Sequence, residues 1–166
     1  PGIRNLGYAI YNTETKCFLN FGKIDLTENI DKKLKTKYAF LVKNTIDNRG
    51  DIFGNFDHIS IEIQMIAKMK TVATAFQCFF WGKSHLISPL ALRRHFNIST
   101  GNYRNNKQAS IKMIPKLPIS QANIDLFNSY PANKKDDVAD AMLIALYHAQ
   151  KMEEPPKRPR KRRKKK

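Results

Sequence analysis

The stretch Lys135-Asp136-Asp137-Val138-Ala139-Asp140-Ala141 constrains the fold most, because it sets three carboxylates on the opening turns of a helix whose other face is apolar. At roughly 3.6 residues per turn, Asp137 and Asp140 share one face and Asp136 is turned about 100° away. The face continues through Ala141, Ile144, Ala145 and His148, while Met142, Leu143 and Leu146 complete an apolar surround suited to a core. Acids at a helix start are ordinarily caps or partners of the helix dipole, and Asp136 or Asp137 fits that role. Asp140 does not. Flanked by Val138, Ala139, Ala141 and Met142, it gains little from capping, and a carboxylate this close to a core needs a cation or hydrogen-bond donors. His148 reads as a packed or surface histidine.

A chain of 166 residues with 42% hydrophobic content supports one core, so a single domain over residues 1–152 is expected. The longest apolar stretch falls short of a membrane span, and the beginning Pro1-Gly2-Ile3-Arg4 lacks the pattern of a secretory signal, so an intracellular location is expected. Cys17 and Cys78 form neither a disulfide framework nor a ligand cluster and read as small apolar residues. Nine of the sixteen net positive charges come from residues 157–166, which leaves +7 on residues 1–156. A basic body suits a polyanionic partner bound with strong salt dependence. Residues 153–166 read as a disordered basic tail, suited to nuclear import, to non-specific clamping of nucleic acid, or to both.

The remaining pattern orders the elements. Leu6 to Asn12 and Cys17 to Leu26 read as a hairpin joined by a polar turn, and Asn29 to Asn48 as an amphipathic helix. In Asp57 to Gln64 the isoleucines 59, 61 and 63 alternate with Ser60, Glu62 and Gln64, which is a strand bearing one acid. Lys68 to Trp81 suits a largely buried helix ended by Gly82, and Leu86 to Ser88 a short strand. Pro89 opens a turn or helix through Phe96. A polar loop from Asn97 to Asn106 precedes a helix from Lys107 to Ile114 and breaks at Pro115 and Pro118. A short helix over Gln121 to Asn128 then leads to the acidic helix. This order argues for an α/β or α+β fold, a mixed sheet flanked by helices. Pro1-Gly2 looks like the turn after a strand, so the first strand of the sheet is expected upstream of Pro1.

Glu62 on a strand, Asp137 and Asp140 on a late helix, and the turn Pro1-Gly2 with Gly7-Tyr8 together resemble the RNase H-like superfamily. Within it the chain is similar to RuvC-type Holliday-junction resolvases, especially those of poxviruses and other large DNA viruses. The resemblance runs through Pro1 to Ile10, Ile61-Glu62 and Lys134 to Ala141, nearly the whole chain apart from the tail. It implies a structure-selective endodeoxyribonuclease that resolves four-way junctions in DNA recombination, repair or replication. It also implies a first catalytic aspartate at the position preceding Pro1. Glu62, Asp137 and Asp140 are then the metal ligands and Lys107 the lysine beside the scissile phosphate, with Lys112 the less suited alternative.

Such oxygen ligands suit two Mg²⁺ ions, with Mn²⁺ a possible substitute. The implied partners are branched DNA and a second copy of the chain, since a junction has two symmetric strands to cut. The host nucleus or a cytoplasmic viral replication site is the implied location. Lys68, Lys70, Arg93, Arg94, Tyr103, Arg104 and Lys112 are candidate DNA contacts. The cluster Phe76, Phe79, Phe80 and Trp81 suits core packing, a dimer interface on its helix, or stacking on opened bases. The alternatives are a catalytically inactive RNase H-fold protein that binds branched DNA, and another RNase H-like nuclease acting on flaps or RNA–DNA hybrids.

Overall fold

Two phenylalanines three residues apart show how the first hairpin is built. The structure, a computed structural model, describes residues 3–132 and 135–154 apart from the side chain of Tyr103. Strands β1 (Leu6–Asn12) and β2 (Cys17–Ile24) pair antiparallel from Leu6↔Ile24 to Asn12↔Cys17. Strict alternation would put Phe18 and Phe21 on opposite faces. The register shifts between Ile10 and Tyr11, so Asn20 opposes Ile10, Phe18 opposes Tyr11, and Leu19 is the extra residue of a bulge. Leu19 is exposed, and Phe18 and Phe21 are both buried on the same side. The hairpin turn is held by the Asn12 side-chain oxygen, which accepts the Thr15 N–H at 2.8 Å.

The single helix expected over residues 29–48 is two pieces. Asp25 Oδ1 accepts both the N–H and the hydroxyl of Thr27 at 2.7 Å, and Asn29 takes a left-handed φ of 57°. Asp31 then caps a 3₁₀ turn at Lys32–Leu34. Local side-chain bonds have outcompeted the helix there. Helix α1 runs over Tyr38–Asn48 and is followed by a short α2 at Gly50–Phe53, which the apolar period did not reveal.

Strand β3 (Ile59–Glu62), helix α3 (Ala67–Phe79) and strand β4 (Ser84–Ile87) form a parallel β-α-β unit in the register Ile59↔Ser84 to Glu62↔Ile87. Both strand directions of the expected mixed sheet are present, as two two-stranded sheets among the described residues. Helix α4 (Pro89–His95) is capped by the Ser88 hydroxyl, which resolves Pro89 as a first-turn helix residue. Helix α5 (Tyr103–Met113) starts inside the expected polar loop, because the Asn102 side chain accepts the N–H groups of Arg104 and Asn105. Helices α6 (Gln121–Ser129) and α7 (Lys135–Glu153) follow. Of the tail expected over residues 153–166, Glu153 is still the last residue of α7, and residues 155–166, like Pro1-Gly2 and Lys134 of the motifs, lie outside the described residues.

The strands lie between two apolar layers. Leu6, Tyr8, Ile10, Ile24, Ile59 and Ile61 join the core made with α1, α2 and α3. Ala9, Tyr11, Phe18 and Phe21 join the other, made with α4 to α7. Alternation therefore sends Gly7, Lys23, Ser60 and Glu62 toward α7, the same side as Phe21. Val138, Ala139, Met142 and Leu143 of α7 are fully buried, and each of the larger ones stabilises the fold by roughly 1.5–3 kcal/mol. At Gly7 the approach is so close that a Cβ would stand 2.2 Å from the Asp137 carbonyl oxygen. Only a glycine lets the start of α7 rest there.

Candidate active site

The first turns of α7 carry three carboxylates, and each meets a different element. Asp140 is largely buried. Burial is the chief reason its pKa is pushed up to about 6; the nearby charge of Glu62 on β3 adds to the rise, while the Ser110 hydroxyl and the more distant charges of Lys107 and Arg93 oppose it. Two carboxylates facing each other in a partly dry site repel, and one of them holds a proton more tightly unless a cation intervenes. Glu62 is oriented by Gln64, whose Nε2 donates to its Oε2 at 2.8 Å.

Asp136 is ion-paired with Lys107 of α5. Burial works to raise the pKa of Asp136, but the Lys107 hydrogen bond and charge outweigh it and hold the group below the usual carboxylate range. Lys107 and Ser110 stand one turn apart on α5 and meet Asp136 and Asp140, one turn apart on α7, in the same order. Asp137 faces neither partner. Its Oδ2 lies 3.2 Å from Nζ of Lys23, which reaches down from the α7 side of β2.

Of the residues expected at the site, the fold brings together Glu62, Asp140, Lys107 and the half-buried Arg93, with Asp137 alongside but turned to Lys23. Asp136, expected to be a cap or an outer residue, instead takes up Lys107. Lys68, Lys70, Arg94, Arg104 and Lys112 are exposed on α3, α4 and α5, where a large anion can reach them; the side chain of Tyr103 lies outside the described ones. Sequence reasoning missed Lys23, Ser110 and Gln64. Lys23 could have been found as the lysine two places after Phe21 on an otherwise apolar face.

The aromatic cluster divides. Phe76, on the helix expected to form an interface, is only 4% exposed and belongs to the core with α1 and α2, so that face of α3 is turned inward. Phe80 packs on Phe53 and Phe56, whereas Phe79 is exposed and Trp81 is 85% exposed.

Past the acids, the seam between β3 and α7 stays polar. His148 Nδ1 and Ser60 Oγ lie 2.6 Å apart, and the His148 ring sits 4.3 Å from that of His85, which in turn meets His58 at 3.1 Å between ring nitrogens. Burial, with the adjoining His85 and His58, pushes the His148 pKa down to about 4.

Among the described residues, no group of three or more His, Cys, Asp or Glu side chains is gathered to hold a metal ion. The donor chemistry nevertheless suits a hard cation. Glu62, Asp137 and Asp140 offer carboxylate oxygens, and ammonium groups already stand against two of the acids at this end of α7. Asp137 is paired with Lys23 in this arrangement. Among the described residues no helix is long and apolar enough to cross a membrane.

The layers define an α/β protein whose strands lie between two sets of helices. A crystal structure of fowlpox virus resolvase with substrate Holliday junction DNA superimposes with a TM-score of 0.67 at 20% identity, covering 93% of this chain and 95% of that one. The family model described as Poxvirus A22 protein matches residues 1–152, and the chain belongs to that family. No curated protein sequence matches it.

Proposed function

We propose that this protein is a junction-resolving DNA endonuclease that cuts four-way junctions by hydrolysing phosphodiester bonds. The observation that carries the reading is the convergence of Glu62 on β3 and the half-buried Asp140 at the start of α7, two like charges brought close enough to call for a cation. Membership of the poxvirus A22 family supports it, as does the likeness in fold to a resolvase whose crystal structure includes a Holliday junction. Glu62, Asp137 and Asp140 hold a divalent ion, Mg²⁺ or a pair of them. When bound, the ions supply activation of the attacking water and stabilisation of the leaving 3′ oxygen.

The chain's own residues do the rest. Gln64 fixes the Glu62 carboxylate, and Ser110 and Arg93 steady Asp140. Lys107 exchanges Asp136 for the scissile phosphate and offsets the negative charge that develops there. Lys68, Lys70, Arg93, Arg94, Arg104, Lys112 and Tyr103 contact the sugar–phosphate backbone around the cut. Two copies of the chain, related by a two-fold axis, present one site to each of two symmetric strands. Residues 1–152 form the nuclease domain, and the tail that follows adds charge for DNA. The work takes place inside the infected cell, in the nucleus or at a cytoplasmic replication site.

The test compares cleavage of a four-way junction, a flap and a duplex in Mg²⁺ by the protein expressed from its native reading frame and by its D140N and E62Q variants. Selective junction cutting that each substitution lowers by at least about a hundredfold is expected. Junction binding without cutting by the unsubstituted protein would instead identify a non-catalytic binder. Cutting unchanged by D140N and E62Q refutes the ligand assignment.

A further inference from the structure

We propose that Lys23 is a positioning residue of the nuclease site: its ammonium group holds the Asp137 carboxylate while no divalent ion is present and yields it when the ion binds. The inference rests on the proposed nuclease function. It deepens that reading by naming what competes with the ion.

Several independent features put Lys23 there. It pairs with Gly7 across the β1–β2 ladder, and this pair lies on the α7 side of the sheet, in the same row as Ala9 with Phe21. The missing Cβ at Gly7 lets the backbone of Asp137 rest on β1, which brings the Asp137 side chain within reach of the neighbouring strand. The Lys23 side chain is 11% exposed and that of Asp137 31%, so the ammonium side of the 3.2 Å pair is enclosed while the carboxylate keeps an opening to solvent. A lysine this enclosed needs an anion, and Asp137 is the carboxylate it meets.

The consequence is electrostatic competition. Glu62 and Asp140 already repel each other, while the third carboxylate is neutralised by Lys23. An incoming divalent ion must draw Asp137 away from the ammonium group and then tolerate a positive charge a few ångströms off. That charge disfavours the ion, so the protein binds it more weakly than the same carboxylates would without Lys23.

Mn²⁺ binding, read by calorimetric titration of the DNA-free protein, separates this role from a merely structural one. K23M, which removes the charge and keeps most of the stem, is expected to bind Mn²⁺ roughly tenfold more tightly, whereas K23R, which keeps the charge, stays near the unsubstituted protein. K23Q carries the same expectation as K23M and replaces it if melting shows K23M unfolded. E62Q is the control and is expected to weaken binding. Mn²⁺ affinity unchanged or lowered in both neutral variants, with E62Q still weakening it, overturns the role of Lys23 and leaves the nuclease reading standing. No Mn²⁺ binding by the unsubstituted protein overturns the ion-holding site and this inference together.

Discussion

Asp140 shows how one half-buried carboxyl can serve function at the expense of stability. Its pKa lies near 6 against an ordinary 3.8, so the fold prefers the protonated form. The stability linked to this preference is complete below about pH 3.8 and is lost as pH rises through 6. A shift of this size corresponds to roughly 3 kcal/mol at most. With a chelator present, D140N is therefore expected to resist urea better than the unsubstituted protein at pH 8 and to lose most of that advantage at pH 4. His148 titrates in the opposite sense. Held neutral in the fold with its pKa near 4, it favours the native state above about pH 6.5 and withdraws that support as pH falls toward 4. H148N is expected to flatten the acid side of the melting curve measured from pH 7 to 4. Neither shift was legible in the sequence, because Glu62, Ser110, His85 and His58 come from other elements.

The elements divide into those decided locally and those decided by packing. The acidic helix was legible because its period and its acids are contiguous, and Ile59 to Glu62 because alternation is local too. The helix expected from Asn29 failed where Asp25 and Asp31 side chains bond to nearby backbone and Asn29 turns left-handed. The start of α5 was hidden for the related reason that Asn102, a loop-like residue, is its cap. Read as one residue of the first strand, Gly7 had a larger role that only packing revealed, since the start of α7 lies against it. G7A is expected to cost roughly 1–3 kcal/mol in urea unfolding, because backbone rather than a pliable side chain must move. It is also expected to cut junction cleavage more than junction binding, since the displaced group is the backbone of Asp137.

At the scale of the molecule, α7 sends side chains into the core beside the hairpin while its polar face runs along β3. The candidate site therefore sits on a helix with a fully buried face, and its acids cannot shift without disturbing Val138 and Ala139. Charge works at longer range. Residues 157–166 carry nine of the net positive charges. Their removal is expected to lower the slope of log affinity against log salt for a four-way junction by about 0.9 for each phosphate the tail had neutralised. Fluorescence anisotropy over a salt series measures this, and the preference for junction over duplex is expected to survive the truncation. The overall charge was plain in the sequence, whereas the pairing of Lys107 with Asp136 and of Lys23 with Asp137 was not, because each joins residues far apart in the chain.

The extra residue at Leu19 separates chain length from face assignment within β2. Any alignment of this strand with a regular hairpin must therefore open a one-residue gap at Leu19. Carried through without the gap, it would set Phe18 in the column of Ile24, facing the layer of α1 to α3, and a profile built on it would misjudge which substitutions each face accepts.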